Sequence, residues 1–284
     1  MTEQLKSDIE AYTGSIQHIR SVGGGCIANA SCVEAGNGRF FLKWGGPEAT
    51  KTFGAEAAGL TALRQADTSL KIPVVIGFNE TGDGFLLLEW LETGSKPAGF
   101  DEAFGMALAQ MHRHTGKAYG FNQDNYIGST AQINTWHDNW PAFFQTCRLE
   151  PQVRLARQGG HWSTAWDQGL QRLYNRLPDL LPATPVCSML HGDLWGGNYM
   201  VTAEGQAALF DPASYYGHRE TDLAMTEMFG GFDARFYDAY REAWSLEADY
   251  ETRRSIYNLY HQLNHLNLFG SGYAAGVARV LGQF

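Results

Sequence analysis

Basic side chains are in short supply. Lys and Arg number 21 against 30 Asp and Glu, a formal net charge of −9. Holding a nucleic-acid backbone depends on clustered Lys and Arg, so no nucleic-acid partner is expected. Cationic or neutral substrates fit the acidic balance better. Long apolar runs are also missing. No stretch approaches the ~20 apolar residues of a membrane span, so no membrane partner is expected. The start, MTEQLKSDIEAYTGSIQ, reads as a polar helix without the basic and apolar segments of a secretory signal. Cysteine is sparse: four, with no dense framework of spacings, read as free thiols in a reducing cytoplasm. Neither an internal repeat nor a low-complexity block is found.

What is present divides the chain in two. Residues 1–90 read as short strands around one helix: IQHIRSVGG, CIANASCVEA, RFFLKWGG, IPVVIGFNE and GFLLLEW, with turn signals at Gly36–Gly38 and Thr81–Gly84. Thr52 is placed to cap the helix, whose apolar positions Phe53, Ala57, Leu60 and Leu63 recur at helical spacing. Residues 91–284 read as mostly helical, with helices near Asp101–His114, Trp136–Arg154 and from Thr221 onward. Short strands are expected at SMLHGD, NYMVT and AALFDPA. The expected fold class is α+β: a small antiparallel β lobe for nucleotide and a larger, mostly α lobe for catalysis and substrate.

Chemistry concentrates in HGDLWGGNYM, starting at His191, and LFDPASYYGHRETDLAM, starting at Leu209. YMVT and AALF, joined by AEGQ, form a hairpin candidate centred between Glu204 and Gly205. Symmetric pairing sets Asn198 opposite Asp211 at its open end, with Cα atoms roughly 4.5–5.5 Å apart. An amide and a carboxylate facing one point suit Mg²⁺, which fills its remaining positions with water and phosphate oxygens. Asp193, on the loop leading in, is placed to accept a hydroxyl proton. The competing reading makes Asp193 and Asn198 turn residues that satisfy loop backbone. The spacing repeats the kinase pattern H-R-D-x-x-x-x-N with Gly192 in place of arginine, and Asp211 takes the place of the D-F-G aspartate.

Other pieces follow kinase order. Lys43 ends the apolar strand FFLKW, where a lone cation can meet phosphate. Glu56 flanks the apolar helix stripe, either as its partner or as a solvated rim residue. Gly23, Gly24 and Gly25 precede a strand and can bring N–H groups to phosphates. Glu89, Trp90 and Leu91 fall where a kinase links its lobes and contacts adenine, or else form an ordinary edge strand.

With these motifs on the page, the chain resembles the fructosamine kinase, or ketosamine 3-kinase, family, within the aminoglycoside-phosphotransferase and protein-kinase-like fold. The resemblance is carried by LHGDLWGGN, FDPASYYGHRETDLAMTEMFGGF, DNYIGSTAQINTWHDNWPAFFQTCRLEPQV and YNLYHQLNHLNLFGSGY. It implies that Asp193 accepts the proton of a sugar hydroxyl, that Asn198 and Asp211 hold Mg²⁺, and that Lys43 and Glu56 form the phosphate-binding ion pair. It also implies that Glu89–Leu91 contact the adenine of ATP. The implied reaction is ATP-dependent phosphorylation of a ketosamine at the sugar O3, leading to deglycation. The amine is free or on a glycated protein, and the enzyme is a monomer or a homodimer. A kinase of an aminoglycoside- or choline-like amine, or an inactive nucleotide-binding module, is the alternative.

Neighbouring residues carry further expectations. Asp222 reads as an anchor for the catalytic loop. Trp195 and His218 either line the substrate site or pack. His261 and His265 read as buried, hydrogen-bonded histidines rather than metal ligands. HRH at 112–114 reads as cationic capping of its own helix end. Cys26, among the loop glycines, is either a small apolar filler or a redox switch.

Overall fold

Alternation in the first ninety residues becomes a five-stranded sheet. The structure, a computed structural model, describes residues 1–23 and 28–284. Helix α1 (Glu3–Thr13) is capped by the Thr2 hydroxyl, which accepts from Leu5 N. It is followed by β1 (Ile16–Ser21), β2 (Asn29–Ala35), β3 (Gly38–Gly45), α2 (Pro47–Arg64), β4 (Val75–Asn79) and β5 (Gly84–Glu89). All pairings are antiparallel, in the order β1-β2-β3-β5-β4. Alternate residues of β5 serve two cores: Phe85 and Leu87 pack with Leu5 and Ile9 of α1, while Leu86 and Leu88 join Phe53, Leu60 and Leu63 of α2. Lys43 is paired with Leu86 and so faces α2. Helix α2 begins earlier than expected, with Gly46 at its N-cap and Pro47 in its first turn. Thr52 lies inside it and bonds the Ala49 carbonyl.

The second part is mostly helical. It comprises α3 (Phe100–His112), a hairpin of β6 (Asn125–Ile127) and β7 (Thr130–Gln132), and α4 (Trp140–Phe143), which runs through a π-helical turn at Phe144–Leu149 into α5 (Glu150–Gln158). Pro151 has no N–H to give the Cys147 carbonyl four residues back, and that carbonyl accepts from Arg148 Nη1 at 2.9 Å. Next come α6 (Asp167–Leu180), β8 (Cys187–Leu190), β9 (Tyr199–Val201), β10 (Ala207–Leu209) and β11 (Tyr215–His218), then α7 (Glu220–Met228), α8 (Ala234–Ala243), α9 (Tyr250–Phe269) and α10 (Ala274–Leu281). β8 pairs with β11 and β9 with β10, both antiparallel.

Two backbone attachments help to join the parts, beside the packing of α2 against β6. The chain after β5 lies against the β9–β10 hairpin, with Gly94 N bonded to Val201 O and Ala203 N to Glu92 O. Separately, the segment between α2 and β4 docks on β10, with Lys71 N bonded to Ala207 O and Leu209 N to Lys71 O. No helix among the described residues is long and apolar enough to cross a membrane.

Candidate active site

On the sheet side, Lys43 Nζ lies 2.8 and 2.9 Å from the two Glu56 oxygens and also bonds Asp211 Oδ1. Glu56 reaches it because one α2 stripe is buried against the sheet, and both side chains are nearly inaccessible to water. Burial alone would lower the Lys43 ammonium, but the two carboxylates outweigh it and hold it above its ordinary value. Glu56 is pushed up by burial, against the pull of Lys43. One lysine thus serves two carboxylates, and the cluster is short of positive charge.

On the helical side, Asp193 sits on the loop after β8, half-buried. Burial pushes its carboxyl up to about 7, with the Asn198 hydrogen bond opposing and the charges of Asp211 and Asp222 adding. Asn198 Nδ2 donates to the Asp193 carbonyl at 2.8 Å and to Oδ2 at 3.1 Å. Its Oδ1 has no hydrogen-bond partner among the described residues. The hairpin register differs by one from symmetric pairing: Tyr199 pairs with Leu209, so Asn198 lies opposite Phe210, whose N–H bonds the Asn198 carbonyl at 3.2 Å. Asp211 is one residue further on, in the left-handed region at φ +56°. The shift arises at the turn, where Thr202 and Gln206 close a loop of three residues with Gly205 at φ +78°.

Asp222 accepts from His191 N at 2.7 Å and Gly192 N at 2.8 Å. His112 completes its shell at 3.2 Å while its other ring nitrogen meets the Tyr240 hydroxyl at 2.8 Å. Burial opposes the Asp222 charge, but these partners hold its carboxyl below the usual value. This corrects the reading of residues 112–114 as a helix cap. His112 serves Asp222, Arg113 bonds the Ala243 carbonyl, and His114 stacks on Tyr216. His191 Nε2 bonds the Phe210 carbonyl at 3.0 Å, tying the Asp193 loop to the segment that carries Asp211.

Gly192 has φ +84°, and a Cβ there would lie 2.1 Å from the Ala213 carbonyl oxygen, so the kinase arginine cannot stand at this position. Gly197 is explained too: a Cβ would strike the Trp195 ring at 2.4 Å. Nothing in the structure explains Gly196. Trp195 is partly exposed, but His218 is only 3% exposed. Its ring bonds Tyr257 at 2.7 Å and packs on Trp140, so it does not line the cleft.

At the linker, the Glu89 side chain is turned away, bound to Lys71 at 2.6 Å and to Val74 N at 3.1 Å. β5 is not an edge strand, since it lies between β3 and β4. Trp90 lies under Arg20, and the N–H and C=O of Leu91 have no hydrogen-bond partner among the described residues. Gly23 follows β1, whereas Gly24, Gly25 and Cys26 lie outside the described residues. Cys32, Cys147 and Cys187 are free thiols. His261 is buried, and among the described residues no three His, Cys, Asp or Glu side chains gather into a metal cluster.

The family model described as Fructosamine kinase matches residues 1–284. The chain belongs to the fructosamine kinase family. A relative from Synechocystis named "Probable ketoamine kinase" is 40% identical over 286 residues, covering 99% of this chain and 96% of that one. The chloroplastic protein-ribulosamine 3-kinase of Oryza sativa subsp. indica is 38% identical over 278 residues, covering 97% of this chain and 81% of that one. A crystal structure from Thermobifida fusca, carrying a provisional fructosamine-3-kinase name, superposes with a TM-score of 0.89 at 28% identity, covering both chains completely.

This fructosamine kinase family member also holds its Asp211 segment with residues that sequence reasoning passed over. Gln132 Nε2 donates to the Ala213 carbonyl at 3.0 Å and to Asn125 Oδ1 at 2.8 Å, and Asn125 Nδ2 donates to the Ser214 carbonyl at 2.8 Å. Tyr260 donates to Gln132 Oε1 at 2.6 Å, and Arg148 reaches the network through Asn134. All five side chains are buried. The available signal was the run of amides in DNYIGSTAQIN, too polar for a hairpin that packs between helices.

Proposed function

We propose that the chain is an ATP-dependent ketosamine 3-kinase whose phosphorylation of sugar O3 promotes deglycation. One observation carries this reading: in a fructosamine kinase family member, Lys43, Glu56, Asp211, Asn198 and Asp193 converge on one cleft. The proposed division is a nucleotide lobe at 1–90 and a catalytic lobe at 91–284. Leu91 offers free backbone groups to adenine. Lys43 neutralises phosphate oxygens, with Glu56 holding its ammonium. Asn198 Oδ1 and Asp211 would hold Mg²⁺, and the charge deficit of the cluster fits a divalent cation beside phosphates. When bound, Mg²⁺ neutralises charge on the transferring phosphoryl group. Asp193 orients the sugar hydroxyl and takes its proton. Positioning and charge supply most of the rate, because phosphoryl transfer asks little covalent chemistry of the protein.

The substrate amine is free or protein-borne, and the enzyme is cytoplasmic, as a monomer or homodimer. The test is Mg-ATP consumption against fructosyl, ribulosyl and erythrulosyl amines, free and on protein, with an aminoglycoside and choline as controls. Turnover of at least one ketosamine well above both controls is expected. Turnover confined to a control substrate, or none at all, would overturn the reading.

A further inference from the structure

Helices α5 and α6 leave a cleft of about 460 Å³ between them, and none of its lining residues belongs to the cleft of Lys43 and Asp193. That volume is in the range of small-molecule sites. Val153 and Leu170, both buried, give it apolar lining. Arg157 and Asp167 also line it but are committed to each other at 2.7 Å, with Trp162 Nε1 on the same Asp167 oxygen at 2.9 Å.

Three other polar groups in the cleft lack the partners their positions call for. Glu150 and Arg154 stand four residues apart on α5, the spacing at which an acid and a following base pair. They do not pair here. Glu150 Oε1 instead accepts from Gln145 Nε2 at 2.8 Å, and the Arg154 guanidinium has neither a hydrogen bond nor an ion pair among the described residues. On α6, the Tyr174 hydroxyl is buried without any hydrogen-bond partner. Burial and the Glu150 charge raise its pKa against the pull of Arg157, so it stays protonated and can donate. A ligand's acceptor would remove the cost of leaving that hydroxyl unpaired.

The unpaired set has a definite polarity. A guanidinium and a hydroxyl donor suit a carboxylate, and the remaining Glu150 oxygen suits an ammonium. One helical turn sets the two charged side chains about 5–6 Å apart at Cβ, so both can reach one small zwitterion. A bare anion would meet the Glu150 charge, and a bare amine would meet Arg154.

We infer that this cleft is a second ligand site, for a free α-amino acid with an aliphatic side chain. Its carboxylate lies on Arg154 and Tyr174, its ammonium on Glu150, and its side chain on Val153 and Leu170. The site does not rest on the ketosamine reading, and its test needs neither ATP nor a ketosamine.

Isothermal titration of the wild-type chain with L-leucine, 4-methylpentanoate and 3-methylbutylamine removes the two ligand charges one at a time. Leucine is expected to bind saturably, at least about tenfold more tightly than either analogue. Tyr174→Phe should weaken leucine about tenfold while leaving stability in denaturant undiminished, because the free protein loses no hydrogen bond. Glu150→Gln should erase the preference for leucine over 4-methylpentanoate, and Arg154→Gln the preference over 3-methylbutylamine. Leucine binding unaffected by all three substitutions would place the amino acid elsewhere and overturn the site. Equal affinity for leucine and 4-methylpentanoate, or no saturable leucine binding by about 10 mM, would overturn it as well.

Discussion

Lys43 and Asp193 approach the same cleft from opposite sides, and their surroundings differ in kind. Lys43 is surrounded by charge, from Glu56 and Asp211, and no neutral side chain bonds its ammonium among the described residues. Around Asp193, the supports are backbone N–H groups, amides and neutral rings: Asn198 on the acid itself, and His112, His191 N and Gly192 N on Asp222 behind it. A charge cluster with one cation too few can exchange a partner when an anion or cation arrives. A satisfied hydrogen-bond network cannot exchange a member without leaving a buried group unpaired. The sheet side is thus adjustable by ligand charge, and the helical side is fixed in advance.

The sharpest test of that contrast is Asp193→Asn. Turnover should fall about 10³-fold, with stabilisation of the fold by ATP retained in thermal scans. The variant should also be more stable than the wild type. The wild-type carboxyl is raised to about 7 in the folded state, above its unfolded value of roughly 4. Folding therefore carries no penalty below that value, a growing one up to about 7, and the full one above it. The stability gain of the variant should be large at pH 8 and small at pH 5. In the wild type, kcat/KM should decline as pH falls below about 7 if Asp193 is the base proposed, because it becomes protonated.

Next in size, Lys43→Met should leave Glu56 and Asp211 facing each other and lower stability by about 3 kcal/mol in denaturant titration. Adding Glu56→Gln should restore much of that stability but none of the activity. A stable single variant would break the contrast, since charge would then not be holding this side. The smallest effect is expected from Gln132→Leu, about 1–3 kcal/mol, because it strands the Ala213 carbonyl and the Tyr260 hydroxyl. It should also raise the Mg²⁺ concentration needed for half-maximal turnover. Lost stability with an unchanged Mg²⁺ requirement would reduce the amide network to scaffolding.

The same contrast decided what could be read from the chain. The strands and the α2 stripe follow from period-2 and helical spacing, which act over a few residues, whereas the pairing of Lys43 with Glu56 came from the kinase order of the motifs. The hairpin was legible, but its register was not, because closing the turn with three residues in place of the four of AEGQ sets Asn198 opposite Phe210 and not Asp211. His112 was misread, since its partners Asp222 and Tyr240 lie more than a hundred residues away. Helix α6 and the role of Gln132 were missed for related reasons: Leu170, Leu173 and Leu177 mark a buried stripe only once α6 has something to pack on, and an amide shows its partner only in the fold.

The docking of Lys71 on β10 has a mechanical consequence. A lobe joined to its neighbour only by the connecting chain could swivel in any direction, but the Lys71 segment on β10, Thr68 on the Ala107 carbonyl and α2 against β6 each remove a direction of turning. The place of the Lys43 ammonium beside Asp211 is thus set by joints far from the cleft as well as by the ion pair itself.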